Sequence, residues 1–210
     1  GAGRFVFASA RLHADYDEGA PLRASQAPGA FALVAAPLED PKVALLLPYG
    51  KAMAGFSALT NVTRNEDGVL RDIPLREVAG DWALPALPLR LAMNLDPQHA
   101  RRVAGTVRPN WRQQARLPRI SAADLLENGA AVCRETTAAL PPLQDRVVLV
   151  GYTASGLNDA KPTPIDPTMP GVEVLAEATE ALVNDSAIRT PPAGLKYVIA
   201  TIFALLTTLA

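Results

Sequence analysis

The chain is poor in the residues on which most enzymes and metal proteins depend. Of its 210 residues one is cysteine, Cys133, and two are histidine, His13 and His99. A single thiol excludes an internal disulfide and any multi-cysteine metal site, but it leaves the compartment open, because proteins without disulfides occur on both sides of a membrane. His13 lies beside an acidic loop and His99 follows Asp96-Pro97-Gln98. Both read as surface residues rather than as a base set against a nucleophile, and no ligand spacing points to a two-histidine metal site. Aromatics are 5% of the chain, too few to build a stacking platform for bases or sugars. Net charge is -1 and the 20 basic residues form no long cluster, so no nucleic-acid partner is expected.

Apolar residues, by contrast, make up 49% of the sequence, enough at this length for one domain with a substantial core. Residues 1–192 are read as that domain. After Pro191-Pro192, Leu195 to Ala210 read LKYVIATIFALLTTLA, with Lys196 the only charge. An amphipathic helix would show a polar face and this run has none. It reads as the beginning of a membrane-spanning helix over 195–210, with Lys196 and Tyr197 suited to the interface, the other reading being a buried core helix. No signal peptide precedes Gly1, and the natural start of the protein is expected upstream of it.

The stretch from Val147 to Asn184 organises the rest. Val147, Val148, Leu149 and Val150 form an apolar run that predicts a short strand covered on both faces, ending at Gly151. Pro162, Pro164 and Pro167 then remove amide donors and disfavour helix before them, which makes a stiff loop. Pro170 suits the first turn of a helix, and Val172, Leu175, Ala176, Thr179, Leu182 and Val183 recur at helical spacing. A loop that leaves a buried strand and feeds a helix N-terminus is a common ligand position in α/β folds.

Elsewhere, strands are expected at Arg4–Arg11, Phe31–Ala36 and Val43–Leu47, with a solvated loop over His13–Pro28. Asp67-Gly68 predicts a type I′ hairpin turn with arms at Leu59–Arg64 and Val69–Leu75. In the second arm Val69, Arg71, Ile73 and Leu75 share a face, so Arg71 either meets a carboxylate or lays its head in water. Leu84, Leu87, Leu91 and Leu95 predict a helix over Pro85–Asn94. Arg-rich Ala100–Arg119 reads as a solvated loop, and Ser121 with Asp124 starts a short helix. Gly151-Tyr152-Thr153-Ala154-Ser155-Gly156 lacks the Lys-Ser/Thr pair of a phosphate-binding loop. Asp159, between Asn158 and Lys161 in the stiff loop, either binds a small cation or a ligand amine or holds the loop together.

The hairpin segment NVTRNEDGVLRDIPL, the helix WALPALPLRLAMNL and above all VVLVGYTASGLNDAKPTPIDPTMPGVEVLAEATEALVN, followed by a hydrophobic run, resemble the type-2 CHASE domain. The most specific matches are Asp67-Gly68 with Arg71 and Pro74, then Gly151, Asp159, Thr163-Pro164 and Pro170-Gly171-Val172-Glu173 with Ala176. The resemblance implies an extracellular sensing domain of a bacterial adenylate cyclase, histidine kinase or related signalling protein. Such a domain lies on the periplasmic side of the cytoplasmic membrane, between an N-terminal spanning helix and C-terminal ones. It implies no catalytic residue and names no ligand. The resulting expectation is one α/β domain with a central mixed sheet flanked by helices, without cofactor or metal. It would respond to a small-molecule or ionic stimulus, act as a homodimer and be anchored through Leu195 onward. Thr153, Ser155, Asn158, Asp159 and Lys161 are the candidate ligand contacts, their other role being loop architecture. Two rivals are a hydrolase using Asp159 or Cys133, and a dimerisation module that senses nothing.

Overall fold

In the computed structural model the described residues are 5–97, 105–111, 117–127, 143, 146–153, 159–189 and 193–209. The strands are short: β1 Phe7–Arg11, β2 Leu22–Arg23, β3 Phe31–Ala32, β4 Lys42–Val43, β5 Leu45–Leu46, β6 Ser57–Leu59, β7 Ile73–Pro74, β8 Arg76–Ala79, β9 Trp82–Pro85, β10 Thr106–Val107, β11 Ala160–Lys161 and β12 Met169–Pro170. The α-helices are α1 Lys51–Ala54, α2 Leu87–Leu95, α3 Ala122–Glu127, α4 Gly171–Val183 and α5 Ala193–Leu209.

The α/β class holds, but among the described residues the strands form several small sheets in place of the expected central one. β1 lies between β5, antiparallel, and β6, parallel, so this sheet is mixed. β9 lies antiparallel between β3 and β8, and a parallel bridge from Leu59 to Ala86 joins the two sheets. The other described strands form two-stranded ladders, β2–β4, β7–β10 and β11–β12. Proline accounts for part of the fragmentation: Pro74, Pro85 and Pro170 each stand at the end of a strand, where a missing N–H stops the ladder from growing.

The core lies where α2 crosses α4. Leu89 and Ala92 share one buried cluster with Val174, Ala178, Ala181 and Leu182 and with Leu70, Ile73 and Leu75. Each of those three side chains is fully buried, and each contributes about 1.5–3 kcal/mol by transfer from water. α4 forms where its spacing predicts, although the buried stripe is rotated toward Val174, Ala178 and Ala181, and Val183 is exposed. Alanine has no γ-carbon, so the alanine side is the one a neighbouring helix can approach closely. Pro170 is the N-cap rather than a first-turn residue. Pro85 likewise belongs to β9, whereas Pro88 sits in the first turn of α2 where its absent N–H costs nothing.

Three further expectations need correcting. Val147–Val150 is not a covered strand: among the described residues no strand pairs with it, and Val148 and Val150 are 51% and 88% exposed. An apolar run without periodicity does not reveal which neighbours exist, and only Leu149 docks, beside Ala58, Leu87 and Leu175. The Asp67-Gly68 turn is not type I′, since Gly68 alone has positive φ, at 80°. Gly68 N–H donates to the Asn65 carbonyl at 2.8 Å and Asn65 N–H to Val69 at 3.2 Å, the pattern of a type I turn closed by a glycine bulge. Its arms are irregular; Ile73 and Leu75 of the expected 69/71/73/75 face are buried, but Leu70 is buried where Val69 and Arg71 were expected. His13–Pro28, finally, is a solvated loop only in part: residues 13–19 are largely exposed, but Ala20, Ala24 and Ala27 are buried and Leu22–Arg23 forms β2.

Candidate functional site

Of the candidate contacts, Asp159 and Lys161 lie at the start of α4. β11 and β12 pair with Ala160 opposite Pro170 and Lys161 opposite Met169, which closes the proline loop at its base. Inside the loop Thr163 N–H and Oγ1 both donate to the Asp166 carbonyl, at 2.8 and 2.9 Å, and Asp166 Oδ1 accepts Thr168 N–H at 2.8 Å. With the amides at Pro162, Pro164 and Pro167 absent, these bonds supply much of the loop's internal bracing. From outside, Leu70 N–H donates to the Pro162 carbonyl at 2.7 Å.

Asp159 holds both ends of this unit together. Its carbonyl accepts Gly171 N–H at 3.0 Å, and its carboxylate lies against the Gly171 Cα, where a Cβ would stand 2.5 Å from Oδ2. That places a negative charge at a helix N-terminus, a favourable position, and Lys161 Nζ stands 3.4 Å from Oδ1. Gly151 passes equally close to Val172, whose Cβ would be 2.5 Å from an added methyl. Glu173 pairs with Arg119, while its Oε1 is buried without a hydrogen-bond partner among the described residues. Thus Gly151, Asp159, Lys161, Gly171 and Glu173 converge on the first turn of α4. Thr153 is exposed on the segment beyond Gly151, and Ser155 and Asn158 lie outside the described residues. Among the described residues no group of three His, Cys, Asp or Glu side chains could hold a metal. Cys133 and His99 are outside them, and His13 pairs with Asp15 on the surface.

The hairpin residues form a second cluster. Arg71 does find its carboxylate, in its own turn: Nη1 is 2.6 Å from Asp67 Oδ2, with both groups largely exposed. Hydrogen bonds from Arg71 hold the Asp67 carboxyl below the usual carboxylate range. Pro74 pairs with Thr106 across the β7–β10 ladder.

Besides Arg119–Glu173, sequence reasoning missed the ion pairs of Arg108 and Arg11. Arg108, placed in the supposed solvated loop, grips Asp72 with Nε on Oδ1 at 2.8 Å and Nη2 on Oδ2 at 2.6 Å. This bidentate contact lowers the Asp72 pKa and raises that of Arg108. Arg11, at the end of β1, is 10% exposed, donates to Asp17 Oδ1 at 2.6 Å and to the Leu12 and Ala44 carbonyls, and lowers the Asp17 pKa. Nothing local in the sequence separates Arg108 from the other arginines of its stretch. An arginine ending an apolar strand and followed by Asp15, Asp17 and Glu18 was the one available signal for Arg11.

A cavity lined by Ser9, Leu59 and Leu84 holds about 10 Å³, the space of one water molecule rather than of a metabolite.

The result is an α/β domain whose polar loops are tied to one another and to a helix start, with no reacting centre among the described residues. The sequence profile of the CHASE2 domain matches residues 11–210, and the chain belongs to that family. CHASE2 domains are sensory and non-catalytic. Neither a curated protein nor a solved structure matches the chain.

Proposed function

We propose that this chain is the input domain of a bacterial membrane-bound signalling protein, placed outside the cytoplasmic membrane. On this reading it works as a homodimer and passes a small-molecule or ionic stimulus through α5 to a cytoplasmic output domain, such as an adenylate cyclase or a histidine kinase. The observation that carries the reading is α5. Its 17 residues are almost wholly apolar, and every described side chain on it is exposed, with Val198, Ile202, Leu205 and Leu206 each at 50% or more. Water is a poor solvent for such a surface and lipid a good one. Its threonines fit lipid as well: Thr201 and Thr208 turn their hydroxyls onto the Tyr197 and Ala204 carbonyls at 2.8 and 3.1 Å, which satisfies them within the helix. At about 1.5 Å per residue α5 is a little shorter than the hydrocarbon layer, and among the described residues no helix is long and apolar enough to cross a membrane. α5 is therefore read as entering the bilayer.

Thr153, Ser155, Asn158, Asp159 and Lys161 are the proposed stimulus contacts, since the loop they belong to returns to the α4 N-terminus. A stimulus acts only if it binds one arrangement of this loop better than another. Single cysteines in a Cys133→Ser background test the reading. In native membranes, Gly194→Cys should react with a membrane-impermeant maleimide, whereas Ile202→Cys and Leu206→Cys should react only after detergent is added. Equal reaction at all three positions without detergent overturns it.

A further inference from the structure

We propose that the Asp72–Arg108 ion pair is a latch coupling the Asn65–Asp72 turn to the segment that leaves α4 for α5, with Arg108 as the positioning residue for the base of α5. The geometry is independent of the sensory reading; only its use in signalling rests on that reading.

Arg108 is held from two directions. Its guanidinium grips Asp72 bidentately, and its carbonyl accepts the Ile188 amide at 2.8 Å. The segment carrying Ile188 has a defined shape. Ser186 N–H reaches back to the Ala181 carbonyl at 3.0 Å and Asp185 takes φ 48°, so α4 ends in a Schellman-type closure that turns the chain sharply. Ala187 then packs against the core, and the Ile188 bond to Arg108 is the last described backbone tether before α5 begins at Ala193.

The turn has a second attachment. Leu70, fully buried, donates its amide to Pro162 at the base of the proline loop, two residues before Asp72. The proline loop, the turn and the exit segment are therefore joined in series: Pro162 to Leu70, Asp72 to Arg108, Arg108 to Ile188. A bidentate guanidinium–carboxylate pair fixes direction as well as charge, which a lysine ammonium cannot do. Motion of the proline loop is thereby conveyed as far as Ile188, ahead of α5, through a short chain of directional bonds, the kind of contiguous element that coupling between sites requires.

Amide hydrogen exchange on the 210-residue chain in lipid nanodiscs tests this. Asp72→Asn should speed exchange at Ile188 roughly tenfold or more, the scale of losing a charge-assisted pair, while the Leu175 and Ala178 amides inside α4 stay protected. The double exchange of Asp72→Arg with Arg108→Asp should restore Ile188 protection. Unchanged Ile188 exchange in folded Asp72→Asn overturns the latch. So does a rise shared equally by Leu175 and Ala178 that the double exchange fails to reverse, because it would make Asp72 an ordinary stability residue. Should Asp72→Asn not fold, Arg108→Lys keeps the charge, loses the fork and gives the same readout. No stimulus or output enters the measurement, so a latch that fails here is distinguishable from an α5 that fails to enter lipid.

Discussion

Two glycines at the start of α4 look alike in the sequence and differ in what stands over them. At Gly171 an added methyl meets the far end of the Asp159 side chain, which can swing aside. At Gly151 it meets Val172 at the Cβ itself, which moves only if the helix does. Gly171→Ala should therefore change stability by less than about 1 kcal/mol, the lost carboxylate contact offset by the better helix propensity of alanine. Gly151→Ala should cost about 1–3 kcal/mol, as overpacking does, or lift Leu149 out of its site. Urea denaturation of the two variants checks the order, and equal costs would mean that the 147–153 segment does not rest on Val172. The role of Asp159 follows from the same geometry. Its carbonyl and carboxylate both serve the helix start, so loop architecture is a use it already has, and any ligand contact would be added to it.

At the scale of elements, the parts of the fold that were legible in the sequence are those decided by local chemistry. The helical spacing from Leu175 to Leu182 and the presence of a turn at Asp67-Gly68, though not its type, depend on residues within a few positions of one another, and both formed. Misreadings arose where a distant partner decides. The run Val147–Val150 carries the composition of a buried strand without naming a neighbour to pair with. The second hairpin arm alternates correctly on paper, yet the bond from Leu70 to Pro162 turns Leu70 inward and breaks the alternation before Ile73. That exchange of faces has a measurable consequence. Leu70→Ala should destabilise the chain by about 2–5 kcal/mol, as a fully buried leucine does, whereas Val69→Ala should cost under about 1 kcal/mol. The alternating-strand reading requires the reverse order, so denaturant midpoints for the pair decide between them. The candidate site was legible in the same partial way: the stiffness of the loop was visible in its prolines, but its attachment to the hairpin and to Gly171 was not.

Across the whole molecule, electrostatics give acid a single direction of effect. Asp17, Asp40, Asp67, Asp72 and Asp81 all have folded pKa values below their ordinary one, held down by hydrogen bonds from Arg11, Ser25, Arg71, Arg108 and the Glu39 and Leu38 amides respectively. A carboxyl with a depressed folded pKa takes up its proton more readily when the chain unfolds. Its contribution is therefore complete above the unfolded value of about 3.9 and is lost as pH falls through the folded one. Stability should be level from neutral pH to about pH 5 and decline steadily below about pH 4. Solvent and salt screen Asp67 most, its side chain being 53% exposed, whereas Asp17 and Asp72, at 26% and 27%, should keep their share of the decline in about 0.5 M salt. Asp72→Asn then has a two-part signature: a loss of about 1 kcal/mol at neutral pH, after discounting for partial exposure, and a shallower acid limb, because one proton-linked group is gone. Urea midpoints measured from pH 7 to pH 2 test both parts. A wild-type chain that grows more stable between pH 5 and pH 3 would show that these carboxylates are not held by their partners. Because Arg108 carries the Ile188 tether, the same protonation that weakens the fold also loosens the foot of α5, so Ile188 exchange in acid should rise before the global transition is reached.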